Sequence, residues 1–496
     1  MKIYIKQILA LLVVSLIISC SKEEVCYEAD LVLVNSKIYT ANADQWEAEA
    51  TAILGDKFIF IGSNEDSSAY ACGSNRVLDL KDSFIFPGFI DAHAHLKGIG
   101  YREITLNLQG ADSLKNMLTL VQIHSNKLSD GDWVVGRGWI EKKWPEGRFP
   151  TIEELDAISD KKPIALERAD GHAIIVNSLA LKLAGIDRNT LDPIGGKIDK
   201  DANGEPNGVL IDKASSLVES IIPKRTREEE KRALREGLNR TAKMGWTQLH
   251  DAGSPLSDYE ILNELKKDEG LPVRIQFYVS DGEDGNKFLD EGPYLDPDHF
   301  LTSRGIKFYA DGAIGSRGAA FFDKYDDYET KGFLIFQKEE TMPKLIKALV
   351  NGIQIQTHAI GDLANKITLD WYEEAFNKVS TENRIIENPR WRVEHAQNIK
   401  PEDQKRYSDL KVIASMQPSH AIGDLHFAHK RLGEERLKDA YTWKNLIELG
   451  VVVVGGSDAP VEIGDPRIEF KAAVSRKDLD GFYEDWWNVE EVVSRE

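Results

Sequence analysis

His93 and His95, Lys307, His358, His395 and Asp458 stand far apart in the chain, yet each lies in or at the end of a short β-like run. Imidazole nitrogens and carboxylates placed this way are donors of the kind that hold a divalent metal ion. The most local piece is Phe86-Pro-Gly-Phe-Ile-Asp-Ala-His-Ala-His95. A strand period of two aims both of its imidazoles to one side, so one cation can accept both. Alone, that pair reads equally well as two half-buried histidines bonded to backbone carbonyls. The downstream positions decide. Gln356-Thr-His358-Ala-Ile-Gly-Asp362, Val393-Glu-His395-Ala-Gln397 and Val454-Gly-Gly-Ser-Asp458 repeat the placement of a donor where an apolar run ends. Lys307, inside Gly305-Ile-Lys-Phe-Tyr-Ala-Asp-Gly-Ala-Ile-Gly315, is the awkward member. A buried ammonium among four imidazoles is costly, so it must be neutral or modified.

The elements that position these residues recur as hydrophobic runs with helical patterns between them. Eight are counted: Phe84 to His93, Trp246 to His250, Val273 to Val279, Ile306 to Tyr309, Ile353 to His358, Arg392 to His395, Val412 to Met416 and Val451 to Gly455. Strands alternating with helices pair in parallel, and eight units predict a closed (β/α)₈ TIM-like barrel. Its catalytic groups belong where strands run out into βα loops, which is where the six donors fall. A long stretch separates the first run from the second, so an insertion is expected at about residues 100–225. Lying after a barrel strand, it would either cap the substrate pocket or be an ornament away from it. Within it, Arg225 to Arg240 reads as a solvated helix face. Ahead of the barrel, runs at 30–40, 50–62 and 76–80 suggest a small antiparallel sheet of sandwich type. The expected division is a small β domain at 30–84 and the barrel at 85–496.

The N-terminus carries a basic start, an apolar stretch and Ile17-Ile-Ser-Cys20, the pattern of an export signal over residues 1–20 with Cys20 as the lipidated residue, followed by a tether at 21–29. The alternative is an uncleaved anchor. The resemblance to a lipobox implies a cell-envelope protein held by lipid, in the outer membrane of a Gram-negative cell. Cys26 and Cys72 form one disulfide or remain two free thiols. A net charge of −20, from 82 acidic and 62 basic residues, gives no basic footprint for nucleic acid. An assembly of identical copies is left open.

With these residues in view, the chain resembles the amidohydrolase superfamily. Within it, Lys307-x-x-x-Asp311-Gly-Ala-x-Gly-Ser316, His358-Ala-Ile-Gly-Asp362, Glu394-His-Ala-Gln397 and Arg168-Ala-Asp-Gly-His172 look like amidohydrolase family 3, the branch of N-substituted formamide deformylases. The likeness runs from about Ala29 to Glu496. It implies that His93, His95 and Asp458 hold one metal and His358 and His395 a second, with carboxylated Lys307 bridging them. Such donors suit zinc better than calcium or magnesium. The implied activity is hydrolysis of an amide or N-substituted formamide in a small molecule by metal-activated hydroxide, with Asp458 as ligand and general base. Esters, lactones and phosphoesters suit the same centre, and a lipoprotein binding a solute or metal without turnover is the alternative of another class. His172 is a candidate donor to the substrate carbonyl, or a solvent-facing turn residue. Asp311, Arg317, Trp139 with Trp144, and His420 are candidate substrate contacts, and His250-Asp251 ends strand two. The family continues past the point matching Glu496, so a truncated chain is expected.

Overall fold

The structure is a computed structural model that describes residues 25–141, 144–168, 173–193, 196–485 and 487–495. Cys20 with its export segment, and His172, lie outside the described residues. The chain forms two compact units, one up to Phe89 and one of Ile90–Arg495, each taken by itself below. Among the described residues no helix is long and apolar enough to cross a membrane.

The first unit is a single five-stranded sheet of β1 (Leu31–Tyr39), β2 (Glu47–Ala48), β3 (Ala50–Leu54), β4 (Lys57–Gly62) and β5 (Val77–Ile85). Three pairings are antiparallel, as the short runs and turns suggest. The fourth corrects the expectation: β5 lies parallel to β1. The chain reaches β5 from β4 through a crossover containing the helix Ser68–Ala71, and such a crossover is what parallel pairing requires. Cys26 and Cys72 are joined as a disulfide with Cα atoms 5.7 Å apart, which settles the alternative left by the sequence.

The second unit contains the barrel. Its eight parallel strands are β6 (Phe89–Ala94), then, after the insertion, β13 (Trp246–Ser254), β14 (Arg274–Ser280), β15 (Leu301–Tyr309), β16 (Gln354–Ala359), β17 (Arg392–His395), β18 (Ile413–Met416) and β19 (Val453–Gly455). All eight counted runs are strands. The first begins later than counted because Pro87, which has no N–H for a ladder, separates β5 from β6. The seam between β19 and β6 is closed just past the strands, where Asp458 N donates to His93 O and His95 N to Ala459 O, at 2.6 and 2.8 Å. Asp91 reinforces it by accepting from Ser457 N and Ser457 Oγ. Apolar residues from the strands and from the helices outside them, such as Phe277, Ile306, Leu369 and Trp391, make one continuous core.

The insertion leaves the barrel after His95 and carries its own six-stranded sheet. Its strands are β7 (Leu106–Asn107), β8 (Val134–Trp139), β9 (Ile164–Arg168), β10 (Ala173–Val176), β11 (Gly196–Lys200) and β12 (Pro206–Asp212), in the order β11-β12-β10-β9-β8-β7. A separate apolar cluster lies on either side of this sheet. The chain returns through the helix Arg227–Met244, which starts at a Thr226/Glu229 capping box and stops at left-handed Gly245. Only one face of this helix is solvated. Gly237 sits where a Cβ would fall 2.3 Å from Leu96 O, so this helix and Leu96–Ile104 meet backbone to backbone.

Candidate metal centre

Alternation along β6 directs Asp91 and His93 to the barrel interior, and the strand end delivers His95 to the mouth. His93 is fully buried. Its Nδ1 meets a carboxylate oxygen of Glu394, which leaves Nε2 facing the centre, 3.3 Å from Lys307 Nζ and 3.6 Å from Asp458 Oδ1. His95 Nε2 lies 3.0 Å from the same Asp458 oxygen. The His395 ring is fixed by Gln417 Oε1, 2.7 Å from its Nδ1, and its centroid is 4.4 Å from that of His358 and 5.0 Å from that of His93. His358 directs Nε2 at Gly312 O, 3.3 Å away. Three of the imidazoles therefore have one nitrogen tied to a neighbour and the other available, the arrangement by which metal-binding histidines are oriented. His93, His395 and Asp458 each offer a donor atom within 4.8 Å of the others. All six donors named by the sequence are brought together.

The charges follow from burial. Removal from water lowers the His93 imidazole to about 4 and His358 to about 3, with Lys307 adding to both, so the rings stay neutral and able to ligate. Burial also lowers the Lys307 ammonium to about 8, against the pull of Glu394 and Asp458. Asp458 behaves oppositely: burial alone would raise it, but His93, His95, His395 and His420 hold it well below the carboxylate range. Its Oδ1 is buried without a hydrogen bond of acceptable geometry, as is Nε2 of His420, 3.5 Å from Asp458 Oδ2. Buried polar atoms left in this state call for a ligand. Neutral imidazoles converging on an ionised carboxylate with a free oxygen are a donor set that fits a divalent metal.

Behind the donors lies a polar layer to which the sequence reading gave no role. Arg392, two residues before Glu394 on the same strand and therefore on the same face, donates Nε to Glu394 Oε1 at 2.8 Å. It also reaches Ala92 O, Ser415 Oγ and His250 Nδ1. Burial opposes ionisation of Glu394, but Arg392 and then His93 overcome it and hold the carboxylate well below its usual range. The signal was present, since Arg-x-Glu-His at 392–395 places two charges inside an apolar run.

Four of the candidate substrate contacts are engaged within the protein itself. Trp139 is enclosed in the insertion's own core against Trp144 and Phe149, with Nε1 donating to Leu166 O at 3.0 Å, and Trp144 is buried in the same cluster. Asp311 is buried and accepts from the backbone N–H groups of Ala320, Ile360 and Gly361, so its carboxylate fixes the loop after β15, with Oδ1 3.5 Å from His358 Nε2. Arg317 forks onto Asp327 and lies over the Tyr328 ring, which commits it to that loop. His420 does reach the centre, its ring 5.8 Å from that of His395. His250 points below the centre at Arg392, and Asp251 Oδ1 accepts from Leu96 N, which anchors the helix that follows His95.

A parallel eight-stranded barrel with clustered histidines and an aspartate at its mouth defines a metal-binding hydrolase class. The chain belongs to the amidohydrolase family, in its family-3 branch, with residues 76–496 matching the family model. It is 34% identical over 454 residues to YtcJ of Bacillus subtilis, which carries an amidohydrolase name, covering 89% of this chain and 82% of that one. It is 27% identical to the N-substituted formamide deformylase of Arthrobacter pascens, covering 91% and 84% of the two. A solved metal-dependent hydrolase from Pyrococcus horikoshii superposes with a TM-score of 0.75 at 26% identity, covering 93% of this chain and 89% of that one.

Proposed function

We propose that this protein hydrolyses a C–N bond outside peptides, in an amide or N-substituted formamide of a small molecule. The observation that carries this reading is the Asp458 carboxylate, buried and ionised with one oxygen unbonded, beside the neutral imidazoles of His93, His358 and His395 and a buried lysine. The name of the Arthrobacter pascens relative supports the choice of bond. His93, His95 and Asp458 would hold one divalent ion and His358 and His395 a second, of the zinc type. Lys307 Nζ adds carbon dioxide with loss of a proton, and the resulting carbamate is an anionic ligand where an ammonium would repel the ions. A divalent ion held by these residues would supply Lewis acidity to a water and to the scissile carbonyl. Asp458 accepts the proton of the attacking water and returns it to the departing nitrogen. We place the protein in the cell envelope, lipid-anchored through Cys20, where fractionation of expressing cells should find it; a Cys20→Ser variant still in the membrane fraction would refute the anchor.

The test combines metal analysis with a panel of N-substituted formamides, N-acyl amines, lactones and phosphoesters. Purified protein should carry stoichiometric divalent metal that Lys307→Ala loses. Asp458→Asn should lower kcat on the best substrate by about 10²-fold or more. Metal retained in full by Lys307→Ala, or turnover confined to lactones or phosphoesters, overturns the assignment.

A further inference from the structure

The geometry points to Tyr309 as a catalytic residue of the reaction proposed above, its phenolic O–H donating to the oxygen of the scissile carbonyl as negative charge builds there. This rests on that reading of the site. Tyr309 ends β15 two residues beyond Lys307, so the strand's alternation puts both on the inner face, with Tyr309 one layer nearer the mouth. Lys307 is 1% exposed, whereas Tyr309 is 38% exposed and open to an entering molecule. The tyrosine ring centroid is 5.1 Å from Lys307 Nζ and 5.8 Å from the His358 ring. In the same unit the hydroxyls of Tyr278, Tyr325, Tyr372, Tyr407 and Tyr441 are all hydrogen-bonded to protein. That of Tyr309 has no such partner among the described residues. Room for it is made by Gly253, in a bulge of β13 with φ of +95°, where a Cβ would come within 3.0 Å of both Tyr309 Oη and Lys307 Cγ. A free donor held beside the donor cluster is what a developing oxyanion requires.

Water adds to the carbonyl carbon, the C=O electron pair moves onto oxygen, and that oxygen takes the Tyr309 hydrogen bond. The pair then returns, the C–N bond breaks, and the nitrogen leaves as an amine with the proton that Asp458 took from the water. The hydrogen bond strengthens with the oxyanion, so its loss falls on kcat more than on KM.

Tyr309→Phe keeps the ring and removes only the donor. With the best substrate of the panel, kcat should fall about 10²-fold with KM within threefold and metal content unchanged. Calorimetry on the metal-loaded protein should show at least tenfold weaker binding of a phosphorus-centred tetrahedral isostere of that substrate, and unaltered binding of the product amine. Retention of kcat and isostere affinity within threefold overturns the assignment, as does a loss seen with Tyr309→Ala but not Tyr309→Phe, which would mark a packing role. If the native protein turns over none of the panel and binds no isostere, the proposed function itself fails and takes this residue with it. An active native protein with an equally active Tyr309→Phe removes the tyrosine alone.

Discussion

Replacing Glu394 by glutamine tests whether the metal centre depends on the layer beneath it. Glu394 is fully buried and neutralises Arg392, itself almost without exposure, while a second contact orients His93. Glutamine keeps the shape and removes the charge. The guanidinium is then left buried without its anion, a loss of about 3–5 kcal/mol. The new amide N–H groups must also face either the Arg392 donors or the His93 Nδ1 side, where only an acceptor is useful. Unfolding entropy of about 2.1 cal/mol/K per residue, over a unit of roughly 400 residues, makes each kcal/mol about 1.2 °C, so Tm of the metal-free protein should fall by about 4–6 °C. Because His93 loses its orientation, metal affinity should fall about 10- to 100-fold, measured by competition with a chromogenic chelator. A variant with Tm within 1 °C of the native protein and metal affinity within twofold would refute the coupling.

Trp139→Ala should destabilise the protein by about 3–5 kcal/mol through the cavity it leaves in the insertion's core, read from denaturant midpoints, with KM changed less than twofold. A raised KM at an unchanged midpoint would return Trp139 to the substrate pocket. His250 is lowered to about 3, by burial first and Arg392 second, so it is neutral in the fold and protonated in the unfolded chain below about 6.5. Its contribution to stability is therefore complete above that pH and is lost as pH falls toward 3, at up to about 1.4 kcal/mol per pH unit. His250→Gln retains an acceptor for Arg392, and thermal unfolding of the metal-free variant between pH 6.5 and 4 should show a shallower fall than the native protein; an unchanged slope would contradict the assignment.

The barrel was legible because its strands are short apolar runs that stop at a polar donor, and β17 is found over the same residues, Arg392–His395, that the run suggests. What failed is instructive about side rather than about element. Trp139 ends β8, but the sheet it belongs to is covered on both faces, so an apolar side chain carries no sign of which layer it enters. Asp311 sits in a glycine-rich loop that reads as open to a ligand, and only the fold shows three backbone N–H groups converging on its carboxylate. Glu394 and His395 expose the limit of counting by twos. Strict alternation with Arg392 and Glu394 inside would turn His395 outward, yet Glu394 supports one ligand and His395 is itself a ligand-type residue at the same centre. The chain resolves this at the strand end, where His395 has φ of 69°, and Asp458 at the opposing seam has φ of 55°. Neither residue is glycine, so the sequence gives no hint of a left-handed backbone, which costs of order 1–3 kcal/mol per residue. That cost is spread over the β17 and β19 ends and is offset by what it permits: one short strand supplies the buried Arg392–Glu394 pair from its regular part and a metal-facing imidazole from its broken end.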